Sequence, residues 1–257
     1  MIFYSLKPKM VTCMLNNIIN SILGLFNLRL IKATHFNNNS NNLSYISSVE
    51  TVKRAQKEGL TVCAYVEKMW NQIGETQKVI DNMEKMGAFA FSNPSICEIG
   101  AGTGRYMEKI INKCKHERYE SYETATDWSE WLQKEYPIIS QPTDGFSLKY
   151  TENISMDLVH AHGVFVYLKF LDNIRYFNEM IRVIKPSGII VFDCYTEECM
   201  TINTLNKWLN SKHNFPVVLP NNYIITYFEN NNFKLIGNFF NAHGQGKSKY
   251  FVFKKNQ

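Results

Sequence analysis

Residues Cys97 to Tyr106 read Cys-Glu-Ile-Gly-Ala-Gly-Thr-Gly-Arg-Tyr, and this run holds the residue types best suited to close contact with a ligand. Glycines at 100, 102 and 104 let the backbone turn sharply and let a ligand approach where any Cβ would collide. Ahead of the turn, Ser95 to Ile99 is short and mostly apolar. Behind it, Tyr106, Met107, Ile110, Ile111 and Cys114 recur at helical spacing, so the pattern is strand, glycine turn, helix. A dinucleotide turn of the form G-x-G-x-x-G needs its third glycine where Arg105 stands, which weakens a nicotinamide reading. Further on, His116 to Glu123 alternates like a strand and ends in an acid. A carboxylate there can accept from both hydroxyls of a ribose diol.

With Glu98 ahead of the first glycine, the run E-x-G-x-G-x-G resembles motif I of the class I S-adenosylmethionine-dependent methyltransferases. The later landmarks support the resemblance over roughly residues 93 to 257. Met156 to Gly163 is similar to the fourth strand of that family and the loop beside its reactive methyl. Lys185-Pro186-Ser187-Gly188 is similar to its proline-glycine turn before the fifth strand, with Ser187 where a second glycine is common. Phe233 to Phe239 and Ser248 to Phe253 alternate as a closing antiparallel pair should. The resemblance implies a Rossmann-like, seven-stranded, doubly wound α/β sheet with an antiparallel last strand, preceded by a helical segment.

It also implies S-adenosylmethionine as cofactor. Glu98, Gly100, Ala101, Gly102 and Gly104 are then expected to bind it, with Glu123 on the adenosyl ribose. Asp144, in the turn Pro142-Thr143-Asp144-Gly145 after a strand-like piece from Tyr136 to Pro142, is expected near the adenine amino group. As a plain Asp-Gly turn it needs no ligand. Methyl transfer to a hydroxyl requires a base, and a histidine is the natural one. His162 ends the expected fourth strand, and His160 alternates with it and is placed beside the cofactor. His243 lies in the glycine-rich stretch Asn241 to Gly246 between the last two strands, able to fold over a cleft. His162 and His243 are therefore the catalytic candidates. No Asn-Pro-Pro-Tyr or Asp-Pro-Pro-Tyr follows the fourth strand, where amino-methylating nucleic-acid enzymes of this fold often carry it. A small-molecule acceptor, methylated on an oxygen of a sugar or similar metabolite, is the leading expectation. The rivals are a nucleotide-dependent oxidoreductase and a non-catalytic partner subunit.

The elements that position these residues need a core, and 257 residues with 45% hydrophobic composition supply one. A net charge of +5 is spread out rather than gathered in a stripe, giving no clear nucleic-acid footprint. Cysteines at 13, 63, 97, 114, 194 and 199 form no C-x-x-C pair, so reduced thiols in a cytoplasmic protein are expected and no metal site is. Val11 to Ile31 is apolar but interrupted by asparagines and flanked by basic residues, which reads as an amphipathic helix. It either packs on the domain, the favoured reading, or lies peripherally on a membrane. The expected organisation is this helix and an Asn-rich linker over 1–45, a helical lead-in over 46–92 with breaks at Gly59 and Gly87, and the main domain over 93–257. In the lead-in, Tyr65, Met69 and Trp70 read as packing residues.

Overall fold

The computed structural model describes residues 46–211 and 217–257, and the amphipathic segment and linker expected over 1–45 lie outside them. Three helices come first: α1 Ser48–Lys57, α2 Val62–Trp70 and α3 Glu75–Lys85. The Thr61 side chain accepts from the Ala64 N–H at 3.1 Å and so caps the start of α2. Alternation of strand and helix follows: β1 Ser95–Ile99, α4 Arg105–Lys113, β2 Arg118–Tyr122, α5 Thr126–Glu135, β3 Ile139–Ser140, β4 Met156–Ala161, α6 Phe170–Val183 and β5 Ile184–Cys194. The chain then runs through α7 Ile202–Ser211 and α8 Asn221–Glu229 into the hairpin of β6 Phe233–His243 and β7 Gly246–Lys255.

These strands form one seven-stranded sheet in the order β3-β2-β1-β4-β5-β7-β6. Strands β1 to β5 pair in parallel, and β7 is antiparallel to both of its neighbours. From β1 the chain winds outward to β3, then returns to place β4 on the other side of β1. That reversal opens a crevice at the carboxyl ends of β1 and β4, where open α/β sheets take their ligands.

Side chains alternate across the strands, and both faces are covered, as a parallel sheet requires. On one face Ile99, Val159, Ile190, Phe192, Phe251 and Phe253 pack against Phe177 and Met180 of α6 and Phe228 of α8. On the other, Ile96, Leu158, Val191 and Val252 pack against Ile80 and Met83 of α3 and Met107 and Ile110 of α4. Phe192 stands at the centre of the first layer, its ring 4.8 Å from Phe177 and 5.5 Å from Phe228. Its truncation to Ala would cost about 3–5 kcal/mol. A separate cluster joins Ala55 of α1 and Tyr65 of α2 to Trp128 of α5, which ties the helical lead-in to the sheet's outer layer.

Two expected elements change extent. The strand-like piece from Tyr136 to Pro142 pairs only over Ile139–Ser140, because it is an edge strand held by two register positions on β2. The Lys185-to-Gly188 turn is not separate from the fifth strand. It lies within β5 as an irregularity, where Ile184 pairs with Met156 and Ile189 already pairs with Leu158. Ser187 there takes φ +63°, a left-handed conformation that disfavours any residue with a Cβ. Ser187→Gly should therefore raise stability by up to about 1 kcal/mol. The urea midpoint should move up at unchanged slope; a lower midpoint would count against strain at this position.

Candidate active site

The glycine turn between β1 and α4 is shaped by two different demands on its backbone. Gly100 (φ +68°) donates its N–H to the Tyr122 carbonyl at 2.8 Å, and a Cβ on it would lie 2.6 Å from Val164 Cγ2. There is no room for a side chain. Gly102 (φ +53°) is the opposite case: nothing stands within 4 Å of where its Cβ would be, and it lines an open cleft. Its N–H donates to Glu123 Oε2 at 2.6 Å, while the Ala125 N–H donates to Glu123 Oε1 at 2.7 Å. One carboxylate thus links the glycine turn to the loop after β2. A carboxylate has about four acceptor positions, so capacity remains for further donors.

The cleft encloses about 700 Å³ at the carboxyl ends of the parallel strands. Gly100 to Thr103, Arg105 and Tyr106 form one wall, and Trp70 and Glu75 from the lead-in helices form another. His162, Gly163 and Tyr167 follow β4, Asp193 comes from the end of β5, and Asn241, His243 and Tyr250 come from the β6–β7 hairpin. A second concavity of about 230 Å³, beside Ser187, Lys234 and Lys254, lies at the opposite, amino ends of the parallel strands.

Within the cleft, the His162 ring stacks on Tyr106 at 3.8 Å between centroids and an interplanar angle of 17°. Its Nδ1 stands 3.3 Å from the Tyr250 hydroxyl, and its buried Nε2 has no hydrogen-bond partner. Burial, reinforced by His160 and Arg105, holds the His162 pKa well below the usual imidazole range, so the ring is neutral. His243 Nε2 meets the Tyr167 hydroxyl at 3.0 Å. Burial also lowers the His243 pKa, but here the nearby Asp193 carboxylate works in the other direction and favours the charged ring. Asp193 is itself fixed, with Oδ1 accepting from the Gly163 N–H at 2.6 Å.

Beneath the glycine turn lies a sealed polar chain. The parallel register sets Glu98 of β1 opposite His160 of β4, and both are buried. The Tyr119 hydroxyl donates to Glu98 Oε2 at 2.7 Å and stands 3.1 Å from His160 Nε2. With its proton on Glu98, that hydroxyl must accept from His160 Nε2–H, which leaves His160 Nδ1 as a bare lone pair 4.0 Å from Glu98 Oε1. Burial lowers the His160 pKa to about 3 and raises that of Glu98 to about 8. The whole chain is therefore neutral near pH 7, the economical state for ionisable groups cut off from water.

Of the residues singled out from the sequence, Gly100, Ala101, Gly102, His162 and His243 line one cleft. Gly104 caps α4, with its Cβ direction closed by Leu132, and Glu123 reaches the cleft through Gly102. Three expectations change. Glu98 and His160 do not line the cleft, because their strand positions point into the layer packed under α3 and α4. Asp144 is exposed, and its Oδ1 accepts from the Phe146 and Ser147 N–H groups at 2.8 Å each, a self-contained turn away from the cleft lining. His243 is not in a loose loop: it is the last residue of β6, and only Gly244 and Gln245 separate the strands. Trp70 and Met69, read as packing residues, are 44% and 47% exposed, and Trp70 faces the cleft. Arg105, Tyr106, Asn241 and Tyr250 were not legible as site residues, since only the hairpin's return across β5 brings the last two to the glycine turn.

Residues 69–241 match the family described as methyltransferase domain. A search of curated proteins finds no significant match. Among solved structures, magnesium protoporphyrin IX methyltransferase (ChlM) from Synechocystis PCC 6803, with bound S-adenosylhomocysteine, superposes with a TM-score of 0.57 at 12% identity, over 82% of this chain and 96% of that one. The N-methyltransferase NodS from Bradyrhizobium japonicum WM9, in complex with S-adenosylhomocysteine, gives 0.55 at 15% identity over 80% and 99% of the two chains. At such identities the likeness speaks for the fold. Together with the match over most of its length, it places this chain in the class I S-adenosylmethionine-dependent methyltransferase family. Among the described residues no helix is long and apolar enough to cross a membrane, and no group of three or more His, Cys, Asp or Glu is placed to hold a metal ion.

The buried chain makes a stability prediction. Because Glu98 keeps its proton to a higher pH in the folded state than the ordinary value of 4.5, folding takes up a proton between about pH 4.5 and 8, and stability falls as pH rises through that window. Glu98→Gln, which cannot ionise, should lose this fall. Denaturation at pH 5 and at pH 8 should show the variant gaining on the wild type at the higher pH; a parallel pH dependence in both would contradict a protonated Glu98.

Proposed function

We propose that this methyltransferase acts on an oxygen of a small polar molecule such as a sugar or related metabolite, with His243 as the general base. The observation that carries this is the grouping of Tyr167, His243 and Asp193 at the cleft, beyond the glycine turn. When bound, S-adenosylmethionine supplies a methyl carbon whose bond to positively charged sulfur breaks with the electron pair left on sulfur. The residues present suit such a cofactor: Gly102 leaves open space, and Glu123 keeps acceptor capacity for the ribose hydroxyls. Gly100, Ala101 and Gly102 would lie along its amino-acid end, and Gly104 would start the helix behind.

The chain's own residues then have the proton to manage. As the acceptor oxygen bonds to the methyl carbon, its proton passes to His243, either directly or across the Tyr167 hydroxyl 3.0 Å away. Asp193 stabilises the imidazolium that forms. His162, neutral and stacked on Tyr106, is better suited to shape the cleft than to take a proton, because burial opposes its charged form without a carboxylate to compensate. Glu98 and His160 act as positioning residues, holding β1 and β4 in register under the turn. The lead-in helices, with Trp70 and Glu75 at the cleft, serve as its cover. The acid beside the adenine is left unassigned, since Asp144 is committed to its own turn.

Glu123→Ala should weaken S-adenosylhomocysteine binding by about 1.5–3 kcal/mol, roughly ten- to a hundred-fold, in a calorimetric titration. Unchanged affinity would remove Glu123 from the ribose. His243→Ala should lower kcat about a hundred-fold or more with cofactor affinity retained. Since the neutral ring is the base and its pKa lies below the usual imidazole value, wild-type turnover should decline only on the acid side, with the midpoint of that decline below about pH 6.5. Full activity in the variant, or a profile still climbing above pH 8, would exclude this role.

A further inference from the structure

Resting on the oxygen-methylation reading, we propose that Arg105 binds an oxyanion carried by the acceptor, so that the substrate class is an anionic, hydroxylated small molecule. Arg105 opens α4 and lines the cleft, its guanidinium carbon 4.9 Å from the centre of the Tyr106 ring. None of the ion pairs found among the described residues involves Arg105, and the one at the cleft joins Glu75 to Lys78. Stacking on an aromatic face leaves the edge of a guanidinium, with its fork of N–H donors, free for a carboxylate or phosphate.

Besides Glu75 Oε2, which has Lys78 Nζ at 3.6 Å, two buried atoms of the same cleft call for a ligand. His162 is 8% exposed and Asn241 5%, and His162 Nε2 and Asn241 Oδ1 are both buried without a hydrogen-bond partner. A buried polar atom left unpaired costs roughly 1–3 kcal/mol, a cost that an incoming polar group relieves. When the Tyr250 hydroxyl donates to His162 Nδ1, Nε2–H becomes a donor to anionic or hydroxyl oxygen. Asn241 Oδ1 needs an O–H or N–H from the ligand. The charge of Arg105 reaches Tyr167 and His243, which line the same cleft. A neutral apolar acceptor would leave all three groups unanswered; a hydroxy acid or sugar phosphate answers each of them.

The donor also carries a carboxylate, so the test separates the two sources. Arg105→Gln is titrated with S-adenosylhomocysteine and with 5′-methylthioadenosine, which lacks the amino-acid carboxylate. Both affinities should stay within about two-fold of wild type, which also reports that the variant is folded. A loss of about ten-fold or more for S-adenosylhomocysteine alone would move the anion to the donor and overturn the acceptor assignment. Label transfer from S-adenosylmethionine is then measured for matched pairs: glucuronate with glucose, glycerate with glycerol, glucose 6-phosphate with glucose. In at least one pair the anionic member should accept methyl about ten-fold faster, and the preference should fall to about two-fold or less in Arg105→Gln. Equal or reversed preference, survival of the preference in the variant, or no transfer to any anionic member would overturn the proposal. Failure of the wild type to bind S-adenosylhomocysteine would instead sink the methyltransferase reading beneath it.

Discussion

The two backbone N–H groups that converge on Glu123 are the constraint on which the site depends. Gly102 belongs to the turn after β1 and Ala125 to the loop after β2, so one carboxylate holds both loops. A charge-assisted bond of this kind is stronger than a neutral one and fixes the turn in a conformation that only glycine adopts comfortably. Val164 closes the turn from below at Gly100, while the space above Gly102 is left open. The result is a rigid edge of bare backbone facing a cleft, built before any ligand arrives.

Support for that edge comes from the sheet. Parallel register puts Glu98 against His160, and Tyr119 joins them, in a layer that is otherwise mostly apolar. Such a chain is tolerated because it is neutral and mostly satisfied; ionising any member would expose the desolvation cost in full. It fixes the two central strands relative to one another, since a slip of one residue in either strand would turn its polar side chain to the opposite face and part the pair. The opposite end of the cleft is built differently, from Asp193 at the end of β5 and from a hairpin that crosses beside it. Carboxylate, imidazole and phenol meet there through contacts that join distant parts of the chain.

What was legible in the sequence follows from this division. The glycine turn and the position of Glu123 were readable because each is local: a turn needs its own glycines, and an acid after a strand lands where the strand ends, whereas the doubly wound sheet came from the family resemblance. The period-2 rule also placed His160 and His162 on the same side of β4. It could not say that a helical layer seals the first while the second, one residue past the strand, reaches the cleft. For Asp144 spacing left two uses open, and the structure shows its carboxylate accepting from its own turn's backbone N–H groups. Arg105 was noticed only as the residue that spoils a dinucleotide motif. Its position at the cleft, and those of Asn241 and Tyr250, depend on side-chain direction and on a long-range hairpin that no spacing rule encodes.

The central claim, that the glycine turn and Glu123 cradle the nucleoside of the methyl donor, is tested most directly by a crystal structure of the protein with S-adenosylhomocysteine. The account predicts the ribose diol on the Glu123 carboxylate and the homocysteine along Gly100 to Gly102, with His243 and Tyr167 across the cleft from sulfur. Density for the ligand in another cavity, or a ribose turned away from Glu123, would contradict it.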